Sequence, residues 1–237
     1  FEPVPVRRKF LKSDMTEQGY CMDVITRLAL MQPAVKVRVS VGGRPVLNIP
    51  AVPDLSERIA LTLGQDFRGQ LIPAAGESEG VRLQGFVSRP EFTRNGATHM
   101  YLYVNRRFVK DYLLNHAVMT AYRRLIEARR YPAVVLGLEV VPGDVDVNVH
   151  PAKMEVRFRN PRGIYALIVE TLSGAIGAGL TPAGEAAAVS SGAGTSGYAS
   201  RIEDALKRYR VSSGPGKLFF SGPTSVKKDV PAVVPVN

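Results

Sequence analysis

The segment DVDVNVHPAKMEVRF, Asp144–Phe158, constrains the chain more than any other stretch. Val145, Val147 and Val149 alternate with polar residues, the two-residue period of a half-buried strand. His150-Pro151 breaks that ladder, because proline has no N–H to contribute. Val156 and Phe158 then resume the alternation. Any fold for this chain must therefore hold two strands joined by a loop that carries one lysine, Lys153. A lysine bracketed by strands is a positioned point charge that suits an anionic phosphate. An ordinary surface loop gives the same pattern and is the commoner case. Asn148 can brace such a loop by bonding its backbone. Asp144 and Asp146 share a strand face, more often a solvated face than a metal site, and no metal ligand is assigned.

Elsewhere the pattern mixes helices and strands. Ser13 can cap a helix running through Val24, Leu28 and Met31 and stopping at Pro33. Val35–Val41 alternates as a strand, Gly42-Gly43 signals a two-residue turn, and Val46–Ile49 returns. Asp54 and Glu57 form a capping box before a helix ending at Gly64. Val81–Val87, Met100–Val104 and Val134–Val140 read as strands. Asp111 caps a helix with Leu114, Val118, Ala121, Tyr122 and Leu125 on one face. Pro142-Gly143 makes a turn, and Pro161 opens a last helix through Leu167, Ile168 and Leu172. These readings predict an α+β domain, a hairpin-rich sheet with helices packed on one face. From Gly174 the composition shifts to Gly, Ala and Ser, which predicts a flexible linker. Arg201–Tyr209 can form a short helix beyond it.

With 45% hydrophobic residues the 237-residue chain can build a core. Its single cysteine, Cys21, excludes an internal disulfide, reads as a helix-face packing residue and favours a reducing compartment. His99, His116 and His150 share no metal-ligand spacing. No apolar run approaches the ~20 residues of a membrane span. Walker-type, GxGxxG, HExxH and GxSxG motifs are all missing.

The net charge is +10. Residues 181–237 hold seven basic and four acidic side chains, which leaves +7 on residues 1–180. Such a domain suits a polyanionic partner, although ordinary solubility charge explains it equally well. Two segments concentrate the charge. PVRRKFLKS, Pro5–Ser13, leads into the first helix. YLYVNRRFVKD, Tyr101–Asp111, interleaves Tyr101 and Tyr103 with Arg106, Arg107 and Lys110. The second composition can track a phosphate backbone; a charged, soluble edge strand reads the same way.

Taken together, PVRRKFLKS, YLYVNRRFVKD with LLNHAVMTAY after it, and DVDVNVHPAKMEVRF resemble the MutL family of DNA mismatch-repair proteins over roughly residues 5–178. The last motif matches nearly letter for letter. The resemblance implies a ribosomal-protein-S5-domain-2-like fold with a left-handed crossover, acting as a transducer. It implies an adjoining ATPase domain of the gyrase, heat-shock-protein, histidine-kinase and MutL type that binds ATP and Mg2+. By the same resemblance Lys153 reaches the ATP γ-phosphate, Asn148 supports it, and Arg106, Arg107 and Lys110 contact DNA without sequence preference. It further implies a homodimer when ATP is bound, other mismatch repair proteins as partners, and a bacterial cytoplasm or nucleoid location. Residues 1–12 would end the ATPase domain and its connector, 13–178 form the transducer, and 179–237 a linker.

The family's nucleotide-binding motifs would precede Phe1, so this chain alone is expected neither to bind nor to hydrolyse ATP, and no nuclease activity is expected of it. FEPVPVRR also departs from the family's usual LFxNxPARR. Two other readings compete. A type II topoisomerase transducer carries its lysine in a Q-T-K pattern, where this chain has Pro151-Ala152-Lys153. A non-catalytic RNA- or DNA-binding module of the same fold explains the charge but not the strand–HPAK–strand segment.

Overall fold

The computed structural model describes residues 9, 11–147, 154–180 and 203–208. Helix α1 (Asp14–Leu30) opens the described chain. Ser13 stands at its N-cap but makes no capping bond; its hydroxyl pairs with Thr16 Oγ1 at 2.8 Å, and the Lys12 N–H donates to Glu17 Oε1 instead. Strands β1 (Val37–Val41) and β2 (Arg44–Ile49) form a two-stranded ribbon. Gly42 and Gly43 take positive φ at its tip, as the turn signal predicts. Helix α2 (Leu55–Leu63) is capped by Asp54, whose carboxylate accepts from the Glu57 N–H at 3.0 Å. Its Arg58 is fully buried and donates through Nη2 to the carbonyls of Gln32, Pro33 and Val35, tying α2 to the turn between α1 and the ribbon.

A five-stranded sheet follows. It is built of β3 (Leu71–Ser78), β4 (Val81–Ser88), β6 (Met100–Val104), β7 (Arg107–Val109) and β9 (Val134–Glu139), ordered β3-β4-β9-β6-β7. All pairs are antiparallel except β6 and β9. That parallel pair requires a crossover, which α3 (Tyr112–Tyr122) provides. Two short ladders complete the strands: β5 (Thr93–Arg94) with β8 (Tyr131–Pro132), and β10 (Val145–Asp146) with β11 (Arg157–Phe158). Helix α4 (Pro161–Leu180) closes the unit.

Alternation along the central strands sorts their side chains onto two faces. Leu83, Val87, Leu102, Val104, Leu136 and Leu138 share one core with α3 and α4. This is the one-faced helix layer that the pattern predicts. Tyr101, Tyr103, Ala133 and Val135 turn to the other face and meet Leu30 of α1 and Ile59 of α2. The N-terminal helices thus cover part of the second face, and β6 is buried along its whole length.

Several details differ from the sequence expectations. Val24 and Leu28 are exposed, with Leu11, Met15 and Tyr20 along the same helix region, so the apolar stripe of α1 faces outward rather than into this core. Cys21 is exposed as well. Helix α3 ends at Tyr122, leaving Leu125 exposed in the turn after it. The shift to small residues at Gly174 does not end α4, which continues to Leu180 with Ile176 buried. Here glycine serves close packing: a Cβ on Gly179 would stand 2.8 Å from Ile72 Cδ1, and the Gly179 carbonyl accepts from Arg89 Nη1. Finally, 203–208 are helical, with Ala205 and Leu206 buried in the larger core. The rest of the expected linker lies outside the described residues.

Candidate functional site

Asn148 and Lys153 both lie outside the described residues, but the two ends of their loop are fixed. In the β10–β11 ladder Asp146 pairs with Arg157, which closes the loop's base. The expected strand through Val145, Val147 and Val149 is shorter than its alternation implied: β10 holds only Val145 and Asp146. Asp144 sits in a single 3-10 turn and is ion-paired to Arg159 at 3.2 Å. On the far side of the loop, Met154 accepts at its carbonyl from the Lys110 N–H at 2.7 Å. The residue that follows Lys153 is therefore bonded to the backbone of a residue from the basic segment.

Asp111 completes this corner. It is buried and caps α3 by accepting from the Leu114 N–H at 3.1 Å. The backbone N–H groups of Leu113 and Val156 lie where they favour its charged form, so one carboxylate sits between the start of α3 and the residue before β11. Burial pushes its pKa up to about 6 against the lowering effect of those N–H donors, and the nearby Glu155 adds to the rise. Because the folded pKa lies above the unfolded value near 3.9, the native state binds the extra proton between about pH 4 and pH 6. The contribution of Asp111 to stability is therefore full below about pH 4 and is lost as pH rises through 6. The loss is on the order of 2–3 kcal/mol at most. Asp111→Asn keeps an oxygen acceptor and removes the charge. Urea unfolding should show the variant at least as stable as the parent at pH 7.5, with the advantage shrinking toward pH 4.5; a constant difference across that range contradicts the assignment.

The basic segment is the β6–β7 hairpin at the edge of the sheet. Asn105 and Arg106 make its two-residue turn at φ 48° and 65°, the left-handed pair that a tight hairpin requires. Sequence reading missed the role of Asn105. Its side chain donates to Val140 O and accepts from Val140 N, both at 2.9 Å, so it clamps the end of β9. An Asn at a turn directly after a strand was the available signal. Arg106, Arg107 and Lys110 are all exposed and take part in no ion pair among the described residues. Tyr101 and Tyr103 offer no stacking surface. Both are buried, burial pushes the Tyr101 hydroxyl up to about 12, and Tyr103 Oη donates to Arg27 O at 2.8 Å. Among the described residues no group of three His, Cys, Asp or Glu could hold a metal ion, and no helix is long and apolar enough to cross a membrane.

The family model for the C-terminal domain of DNA mismatch repair proteins matches residues 59–177, the five-stranded sheet with α3, α4 and the loop. The chain belongs to the MutL family of DNA mismatch repair proteins. The MutL of Syntrophus aciditrophicus is 53% identical over 93% of this chain and 37% of its own length. That of Geobacter sulfurreducens is 44% identical over 71% of this chain and 28% of its own. The chain thus spans about a third of the curated MutL proteins it matches. In fold it is similar to the crystal structure of the N-terminal domain of a DNA repair protein (TM-score 0.62, 24% identity, 76% of this chain and 59% of that one). It is also similar to a variant of the Aquifex aeolicus MutL ATPase domain (TM-score 0.50, 23% identity, 72% and 57%). Both likenesses support the S5-domain-2-like sheet read from the sequence. The chain corresponds to the C-terminal region of the MutL N-terminal half.

Proposed function

We propose that this chain is the transducer of a MutL-type ATPase, with residues 13–178 as the transducing unit and later residues as a linker. Lys153 presents its ammonium to the γ-phosphate of ATP held by the adjoining domain, and Asn148 braces the loop. The observation that carries this reading is the anchored base of the loop: the β10–β11 ladder and the Lys110–Met154 bond hold the described residues on either side of the lysine's segment, with Asp111 beside them. The residues present fit one charge contact to a phosphate and no more. Mg2+ and the adenine therefore fall to the adjoining domain, whose bound nucleotide supplies the phosphoryl chemistry. This chain's own part is to bring a cation to one oxygen and to hold it there.

The outward apolar residues of α1, Met15, Tyr20, Val24 and Leu28, give that domain a surface to cover. Homodimerisation on ATP binding, contact with other mismatch repair proteins and a cytoplasmic location complete the proposal. The type II topoisomerase alternative gains nothing from the geometry.

The exposed cations of the β6–β7 hairpin are proposed to bind DNA through its phosphates. With no recognition helix aimed at base edges, affinity should be weak and sequence-independent. Binding followed by fluorescence anisotropy should fall with a log–log salt slope of about −0.9 per phosphate neutralised. Arg107→Glu with Lys110→Glu should weaken binding at least about tenfold and flatten the slope by roughly two units. Arg106 is left unchanged because its positive φ makes the turn sensitive to substitution. Binding that ignores salt, or survives the double reversal, would reduce the cluster to an edge-strand solubiliser.

A further inference from the structure

We propose that the face formed by α3 and α4 is a docking site for one turn of amphipathic helix, and that residues 203–208 of this chain are its exchangeable occupant. Ala205 and Leu206 are buried in the core that α3 and α4 share with the sheet, while Glu203, Asp204, Lys207 and Arg208 are exposed around them. The buried pair anchors the turn, and the charges lie where a helical turn tolerates them: acidic residues first, basic residues last, spaced i to i+4.

One polar contact accompanies the buried pair. Arg208 Nη1 reaches Tyr112 Oη at 3.4 Å. Tyr112 stacks on His116 with ring centroids 5.8 Å apart, and His116 Nδ1 lies 3.1 Å from Tyr165 Oη, linking α3 to α4 beneath the docked turn. Arg208 therefore reaches the His116 ring through Tyr112, and its charge and that of Asp204 act on His116 in opposite directions.

A six-residue helix does not hold together in water by its own bonds, so the order of 203–208 comes from the face it occupies. Its hold rests on two apolar side chains and one long polar contact. Because the segment and the face belong to one chain, docking is intramolecular, which keeps a weak site filled while still letting it open. Docking sets Arg208 beside Tyr112, the residue after Asp111, at the start of α3.

Amide hydrogen exchange on the whole 237-residue chain tests the proposal. The amides of Lys207 and Arg208, whose helical partners are the Glu203 and Asp204 carbonyls, should exchange at least about tenfold more slowly than in an unstructured peptide, yet faster than those of β4, β6 and β9, because they open locally. Leu206→Asp should bring those two amides to unprotected rates and leave the sheet amides within about threefold of the parent. A peptide of residues 201–209 added to the Leu206→Asp chain should then shift the His116 and Tyr112 resonances and saturate at millimolar concentration. Unprotected Lys207 and Arg208 amides in the parent would overturn the proposal, as would a peptide that leaves His116 unshifted. Sheet amides that open along with 203–208 in the variant would make the segment an integral part of the core and overturn it equally.

Discussion

Replacing Lys153 by alanine in a full-length protein that carries this chain and its ATPase domain should lower ATP turnover by about 10²–10³, with a much smaller change in ATP affinity. The split follows from position. The loop base is held beside the β6–β7 hairpin and the start of α3, and a single lysine offers a charge and no adenine contact, so that charge counts most where negative charge shifts among the phosphate oxygens. Losing one pre-positioned donor at such a point typically removes two to three decades of rate. Steady-state turnover measured beside equilibrium nucleotide binding separates the two effects. Unchanged turnover, or a loss confined to affinity, would reject Lys153 as the γ-phosphate contact.

Gly85→Ala should destabilise the fold severely. Gly85 lies in β4 between Ala74 of β3 and Leu136 of β9, at φ 148°, a conformation few other residues adopt. A Cβ there would stand 2.1 Å from the Val135 carbonyl oxygen and 2.9 Å from Leu136 Cα. Both are backbone atoms of a strand hydrogen-bonded on its two sides, so neither can move without opening the ladder. Backbone strain and overlap together are expected to cost at least about 4 kcal/mol, a large part of the ~5–15 kcal/mol that stabilises a domain. Gly137→Ala, one strand away, is the control. Its Cβ would meet Gln84 O at 3.8 Å and Met31 Cε at 4.0 Å, ordinary contacts, and should change stability by less than about 1 kcal/mol. Urea unfolding of both variants decides the matter, and a Gly85→Ala chain as stable as Gly137→Ala would refute the clash.

Local chemistry was legible in the sequence wherever a residue's role depends on near neighbours. The Asp54 and Asp111 caps, the Gly42-Gly43 turn and the strands through Val81, Met100 and Val134 were all readable from short spacings. So was the pairing of the two ends of Asp144–Phe158, where Val145 and Asp146 meet Phe158 and Arg157. The family followed from the same segment together with the basic hairpin.

Features that depend on what lies across space were not readable. Tyr101 and Tyr103 look alike as stacking rings or core residues until β6 is placed in the middle of a sheet covered on both faces. The α1 stripe reads as core-facing, since periodicity marks an apolar face without saying which surface covers it. The stretch from Gly174 reads as a linker because composition registers missing side chains and not the neighbour, Ile72, that needs the space at Gly179. The nearness of Asp111 to Val156 brings together residues 45 apart in the chain. Sequence by itself determined most of the elements, the Asp54 and Asp111 caps and the family, because those are set within a few residues. Tertiary structure alone decided which faces are buried and which backbone segments hold the loop, because burial and long-range hydrogen bonds exist only once the sheet has brought distant strands together.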